Sequence, residues 1–207
     1  MSHQLFSDDV EFYQRILRIA GKYTGAIDGI WGAATDSADQ QFAAEYAAIK
    51  DQLGSFDARS EGNIQTLLPQ AQREARQFMV KTQQSFTHFT VRILSGTRTY
   101  AEQTALFNKG RNGNPGPIVT HARAGESNHN FGIAWDVGIF DGGRYLTGAN
   151  ATEEQAYKDL ASVAMSAALE WGGSWTTFKD LPHYQMKTAL TLAQVQQRFE
   201  AGGAIIV

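Results

Sequence analysis

Apolar residues recur at helical spacing through Val10, Tyr13, Ile16, Leu17 and Ala20, so the chain begins on a helix that Asp8 or Asp9 can cap and Gly21 stops. A glycine-broken loop follows, and the pattern resumes through Phe42 and Tyr46 as a second helix. Over residues 50–68 periodicity is lost and glycines mix with charges, which reads as a linker with a boundary near 55. Pro69 then opens a helix whose stripe is Ala71, Ala75, Phe78 and Met79, ending near Phe86. Phe89, Val91 and Ile93 alternate with Thr90, Arg92 and Leu94 as a strand aimed at Ser95-Gly96, after which Thr99 and Glu102 form a capping box for a short helix through Leu106. Gly110, Gly113, Pro115, Gly116 and Pro117 break the stretch 108–124 into a loop over a cleft. Phe140 to Tyr145 reads as a hairpin turn. Thr152 with Gln155 starts a helix through Leu160, Val163, Ala167 and Leu169, and Thr191 starts the last, with Leu192, Val195 and Phe199 inward and Gly202 and Gly203 at its end. The pattern predicts an α+β fold, a small antiparallel sheet with flanking helices behind a small all-α module. The expected division is 1–54 helical module, 55–68 linker and 69–207 second domain.

The chemistry concentrates in Ser127-Asn128-His129-Asn130-Phe131-Gly132-Ile133-Ala134-Trp135-Asp136, where a His and an Asp stand seven residues apart. Imidazole nitrogen and carboxylate oxygen both suit zinc, and two ligands on one short segment need one more to leave a fourth position for water. An odd separation on a regular strand would send the side chains to opposite faces, so the segment must bend, and Gly132 is where it can. Taken alone, such a spacing is more often a loop His and an Asp ending a buried strand. The third ligand is offered by Asp180-Leu181-Pro182-His183, behind the aromatic run Trp171-Gly172-Gly173-Ser174-Trp175. His183 completes a His129/Asp136/His183 set, and Asp180 is a carboxylate beside it that suits a general base. His121 is excluded as a fourth ligand, because a filled fourth position leaves no room for water.

Together these segments resemble the zinc peptidases that cut D-Ala-D-Ala or L-Ala-D-Glu bonds of peptidoglycan, through Ser127, His129, Gly132, Ala134 and Asp136 followed by Asp180 and His183. Upstream, Ser95-Gly96-Thr97-Arg98-Thr99-Tyr100-Ala101-Glu102-Gln103, Gly110-Arg111 and Val119-Thr120-His121-Ala122 are similar to the L-alanyl-D-glutamate branch, typified by phage endolysins and bacterial wall peptidases. The resemblance covers roughly residues 60–190. It implies a Zn2+ cofactor, Asp180 as base, and Arg98 holding substrate or the developing oxyanion, a task that suits the permanently charged guanidinium fork. Gln103, Ser127 and Trp171 are further substrate-side candidates, each with a packing or turn-shaping alternative. Tyr23-Thr24-Gly25-Ala26-Ile27-Asp28-Gly29-Ile30-Trp31-Gly32 resembles the loop of the small helical peptidoglycan-binding domain, which implies wall binding by Tyr23, Asp28 and Trp31; the order Gln41-Phe42 departs from that family's Phe-Gln. The implied activity is L-Ala-D-Glu endopeptidase. The alternatives are a D-Ala-D-Ala carboxypeptidase or dipeptidase and a catalytically dead wall-binding protein.

Composition narrows the partners. With 18 Lys+Arg against 21 Asp+Glu, a net charge of −3 and no basic run, there is no footprint for nucleic acid. No apolar run approaches the roughly 20 residues that span a bilayer, so no membrane insertion is expected. The absence of cysteine removes thiol nucleophiles and ligands. Met1 to Phe6 is followed at once by Asp8 and Asp9, with no basic or apolar region of a Sec signal. A monomeric enzyme made in the cytoplasm and acting on wall in the periplasm would then need a holin or a secretion apparatus to deliver it.

Overall fold

A computed structural model describes residues 7–111 and 113–206. The reading of Met1 to Phe6 falls outside the described residues, as does Asn112 of the 108–124 loop. The chain divides into two compact units that interleave in sequence: Met1–Glu45 with Arg98–Gly132 and Thr188–Val207, and Tyr46–Thr97 with Ile133–Lys187.

In the first unit, α1 (Ser7–Ile19) buries Val10, Phe12, Gln14, Ile16 and Leu17. Tyr13, expected on that face, is 40% exposed, and the polar Gln14 is fully buried instead. The cause is the loop that follows. The Gln14 side chain accepts from the backbone N–H groups of Asp28 and Gly29 and donates to Asp28 Oδ1 and the Ile30 carbonyl, so one amide satisfies a returning backbone that would otherwise be buried without partners. Gly21, at φ 72°, ends the helix as expected. Phe12 packs against Tyr100 of α5 (Tyr100–Asn108) and Phe199 of α7 (Leu192–Glu200), with ring centroids 5.8 and 5.4 Å away. Both later helices carry full capping boxes, Thr99 with Glu102 and Thr191 with Gln194. Val195 and Phe199 are inward, but Leu192 is 39% exposed, because the first turn of α7 stands clear of the core.

In the second unit lies the antiparallel sheet: β1 (Thr90–Ser95), β2 (Ala134–Asp141), β5 (His183–Met186) and β4 (Leu169–Trp171) in that order, with β3 (Arg144–Leu146) paired to β2. The fold class is α+β. β2 and β3 form the expected hairpin, with both loop glycines, Gly142 and Gly143, at positive φ. α4 (Pro69–Ser85) buries Ala71, Ala75, Phe78 and Met79, and the Phe78 ring meets Tyr184 at 4.6 Å and Trp135 at 6.4 Å.

Two elements correct the sequence reading. The stretch expected as linker is structured: α2 (Ala33–Leu53) runs on, and α3 (Ala58–Ile64) starts at Asp57, whose carboxylate accepts from the N–H groups of Arg59 and Ser60. Its charges serve packing. Glu61 takes a two-pronged contact from fully buried Arg76 and a bond from Tyr46; burial alone would raise its pKa, but these donors hold it down at about 2. The helix expected from Thr152 to Leu169 begins at Ala151, because Asn150 rather than Thr152 caps it by accepting from Glu153 N–H. That helix, α6 (Ala151–Ala164), stops at Ala164, and Leu169 belongs to β4. A single apolar spacing thus spanned a helix end, a turn and a strand start. Among the described residues no helix is long and apolar enough to cross a membrane.

Candidate metal centre

Ser127 leads a 3-10 turn, Asn128–Phe131, that buries His129 to 1% exposure. The turn is pinned from both sides: the His129 carbonyl accepts from Arg98 N–H (3.0 Å), while the Asn130 side chain donates to the Arg98 carbonyl (2.9 Å) and accepts from Gly125 N–H (3.0 Å). Gly132, at φ 70°, then turns the chain into β2. A left-handed residue there costs a side-chain-bearing amino acid roughly 1–2 kcal/mol, which is why glycine sits at the bend. The expected break between His129 and Asp136 is therefore real.

Asp136 and His183 are direct partners in the β2–β5 ladder, so their side chains share a face. One ligand atom from each of His129, Asp136 and His183 lies within 4.8 Å of the others, a group able to hold a metal ion. The donors fit such an ion. His183 Nε2 is 3.0 Å from Gln185 Oε1, an acceptor, and Nδ1 is 3.2 Å from Asp136 Oδ1, also an acceptor. An imidazole that donates through Nε2 turns a lone pair at a carboxylate oxygen, and only a cation between them, proton or metal, makes that favourable. In the absence of metal, burial opposes the charged ring, but the contact with Asp136 outweighs it, helped by Gln185 and the charge of Asp180, and raises the His183 pKa.

Asp180 is half-buried and near enough for its charge to act on His183. Its close approach depends on Gly172: a β-carbon there would lie 2.6 Å from the Asp180 carbonyl oxygen and 3.1 Å from His183 Cβ. Asp180 N–H donates to the Gly172 carbonyl (3.1 Å), and Trp171 Nε1 donates to the Leu181 carbonyl (2.8 Å), so the aromatic-glycine run holds the segment in place. Trp171 stacks on Tyr184, and the Trp175 ring leans on His183 at 5.2 Å.

Arg98 is half-buried ahead of α5, and its Nη1 donates to Gln103 Oε1 at 2.9 Å. Gln103 is fully buried and donates onward to the Ala122 carbonyl, so it braces Arg98 and the following loop. His121 is exposed beside Arg111. Of the wall-binding candidates, Tyr23 is buried with its hydroxyl donating to the Ala26 carbonyl, and Asp28 braces the loop by accepting from Gln14 and Ile30 N–H. Trp31 is partly exposed beside Ile30, which is 67% exposed. Asn130, Gln185 and Glu170 were not singled out from the sequence. Their partners lie on other segments, so no local pattern marks them.

Residues 120–186 match a peptidase M15 family model described as D-alanyl-D-alanine carboxypeptidase. The matched span is under half the chain, and it holds His129, Asp136, Asp180 and His183 but not Arg98. The chain is 35% identical over 106 residues to the peptidoglycan L-alanyl-D-glutamate endopeptidase CwlK of Bacillus subtilis strain 168, an alignment covering 45% of this chain and 59% of that protein. The chain therefore spans under two thirds of the length of that relative. A crystal structure of the Serratia marcescens L-Ala D-Glu endopeptidase ChiX superposes with TM-score 0.46 and 28% identity, covering 64% of this chain and 89% of the other.

Proposed function

We propose that this protein is a zinc-dependent peptidoglycan endopeptidase that hydrolyses the L-Ala-D-Glu bond of the stem peptide. The observation that carries the reading is the His129/Asp136/His183 group with the Asp180 carboxylate beside it. The likeness to CwlK, whose name states that bond, supports the choice. His129, Asp136 and His183 would hold the ion, which when bound polarises the scissile carbonyl and lowers the pKa of water to about 7. Asp180 accepts a proton from the attacking water and returns it to the departing amine. Arg98, braced by Gln103, offers its fork to the developing oxyanion or to a substrate carboxylate. Ser127 shapes the turn that presents His129, and Trp171 holds the loop that carries Asp180 ahead of β5 and borders the substrate.

A D-Ala-D-Ala carboxypeptidase is the second reading, favoured by the description of the matching family. Mass spectrometry of peptidoglycan digested by the purified protein separates the two. Products with a free glutamate amine support the endopeptidase; release of terminal D-Ala alone overturns it in favour of the carboxypeptidase.

Residues 1–54 are proposed to bind wall polymer through the Ile30–Trp31 edge of the loop. Removing the whole segment would also strip Phe12 from Tyr100 and Phe199, so point variants are the better test. Trp31→Ala is expected to lower co-sedimentation with insoluble peptidoglycan several-fold while leaving cleavage of soluble muropeptides unchanged; equal sedimentation would reduce the loop to packing. The reading further has a monomer delivered to the periplasm by a holin or a secretion apparatus.

A further inference from the structure

Glu170 of β4 and Gln185 of β5 are register partners in the sheet, and His183 lies two residues from Gln185 on the same strand face. Gln185 is 9% exposed and stands between two groups that fix which way its amide points. Its Nε2 lies 3.1 Å from Glu170 Oε2 and its Oε1 lies 3.0 Å from His183 Nε2. An ionised carboxylate only accepts, so the Gln185 end that faces Glu170 must be the NH2. The carbonyl end is then left for His183, and it too only accepts, so His183 Nε2 must carry a hydrogen. The second oxygen of Glu170 is occupied as well, by the indole N–H of Trp175, whose ring leans on His183. The carboxylate therefore cannot turn away from Gln185 without losing a donor.

We propose that Glu170 and Gln185 are positioning residues that fix the ring orientation and tautomer of His183, so that Nδ1 is the atom offered to the metal. The inference rests on the proposed metal centre and deepens it. The relay acts through His183 and decides in advance which nitrogen is basic, which is the means by which outer partners of a metal ligand raise affinity. A flipped amide would present NH2 to His183 Nε2 and favour the opposite tautomer, with the hydrogen on Nδ1 where the ion must bind.

The test measures zinc affinity by chelator competition and the state of His183 by nitrogen NMR of histidine-labelled, zinc-loaded protein. Wild type is expected to show His183 metal-bound at Nδ1 and protonated at Nε2. Gln185→Leu should bind zinc about 10- to 100-fold more weakly, as expected for loss of an outer-shell partner. Gln185→Glu alone sets two carboxylates side by side and should weaken zinc binding too. The double variant Glu170→Gln with Gln185→Glu reverses the bond between them while leaving His183 an acceptor, and should return affinity to within a few-fold of wild type. Rescue by the exchanged pair is not expected of a merely structural role. Wild-type affinity in Gln185→Leu, no rescue in the double variant, or Nε2 bound to the metal would each overturn the inference. A wild-type protein that binds no zinc would instead sink the proposed function, and the two failures are distinct.

Discussion

His183→Ala is expected to lower zinc affinity by more than about 100-fold and to leave hydrolysis at background. The reasoning is one of redundancy. Loss of an outer-shell partner alone costs 10- to 100-fold, and three protein ligands with one open position leave no substitute when one of them goes. His183 is also the ring that faces Asp136 at 3.2 Å, so its removal leaves a half-buried carboxylate without its cross-strand partner and Gln185 Oε1 without its donor. Losing a buried hydrogen bond costs about 1 kcal/mol, so the variant must be shown folded by circular dichroism before zinc is counted. His129→Ala and Asp136→Ala should behave alike. His121→Ala is the internal control: its side chain lies exposed against Arg111, and it should keep both zinc and activity. Full activity in His183→Ala, or stoichiometric zinc loss in His121→Ala, would show that the ligand set is wrongly drawn.

Most of the centre was legible because its residues are rare types at fixed offsets around a glycine bend. His129, Gly132 and Asp136 could be placed without a fold, since an odd spacing shares one side only if the segment bends, and Gly132 is the residue that bends it. The capping box at Thr99 was legible for a similar reason, being set within four residues, whereas at Thr191 only the helix start was read and the box with Gln194 came from the structure. Where the reading failed, the deciding partner was distant in sequence. Nothing near Glu61 announces Arg76, fifteen residues on, so a packed helix looked like a linker. Nothing near Gln14 announces that a backbone loop will fold over it, so Tyr13 was taken for the inward residue. Gln185 and Glu170 escaped notice because a polar pair across two short strands becomes visible only when the register is known. The helix that was carried too far, to Leu169, shows the limit of periodicity itself. Ala164 and Leu169 are both buried, but one closes a helix and the other opens a strand.

Asp180→Asn isolates chemistry from metal binding. The amide keeps the shape of the side chain and the backbone bonds that hold the segment, from Asp180 N–H to Gly172 and from His183 N–H to the Asp180 carbonyl, but it removes basicity. Zinc content is expected to stay near one per chain, because the ligand group is His129, Asp136 and His183. The rate is expected to fall by a factor on the order of 10² to 10⁴, the usual worth of a positioned acid–base group. The loss should appear in kcat more than in KM, since the proton is moved only as the bond is cut. Removing the charge also takes away one of the influences that raise the His183 pKa, and a lower pKa makes the neutral, metal-binding ring more available. Metal affinity should therefore hold or rise slightly at mildly acidic pH while turnover collapses, two effects of opposite sign from one substitution. Loss of zinc in Asp180→Asn would make Asp180 a ligand and pass the role of base to Asp136. Retention of both zinc and rate would place the base on another residue.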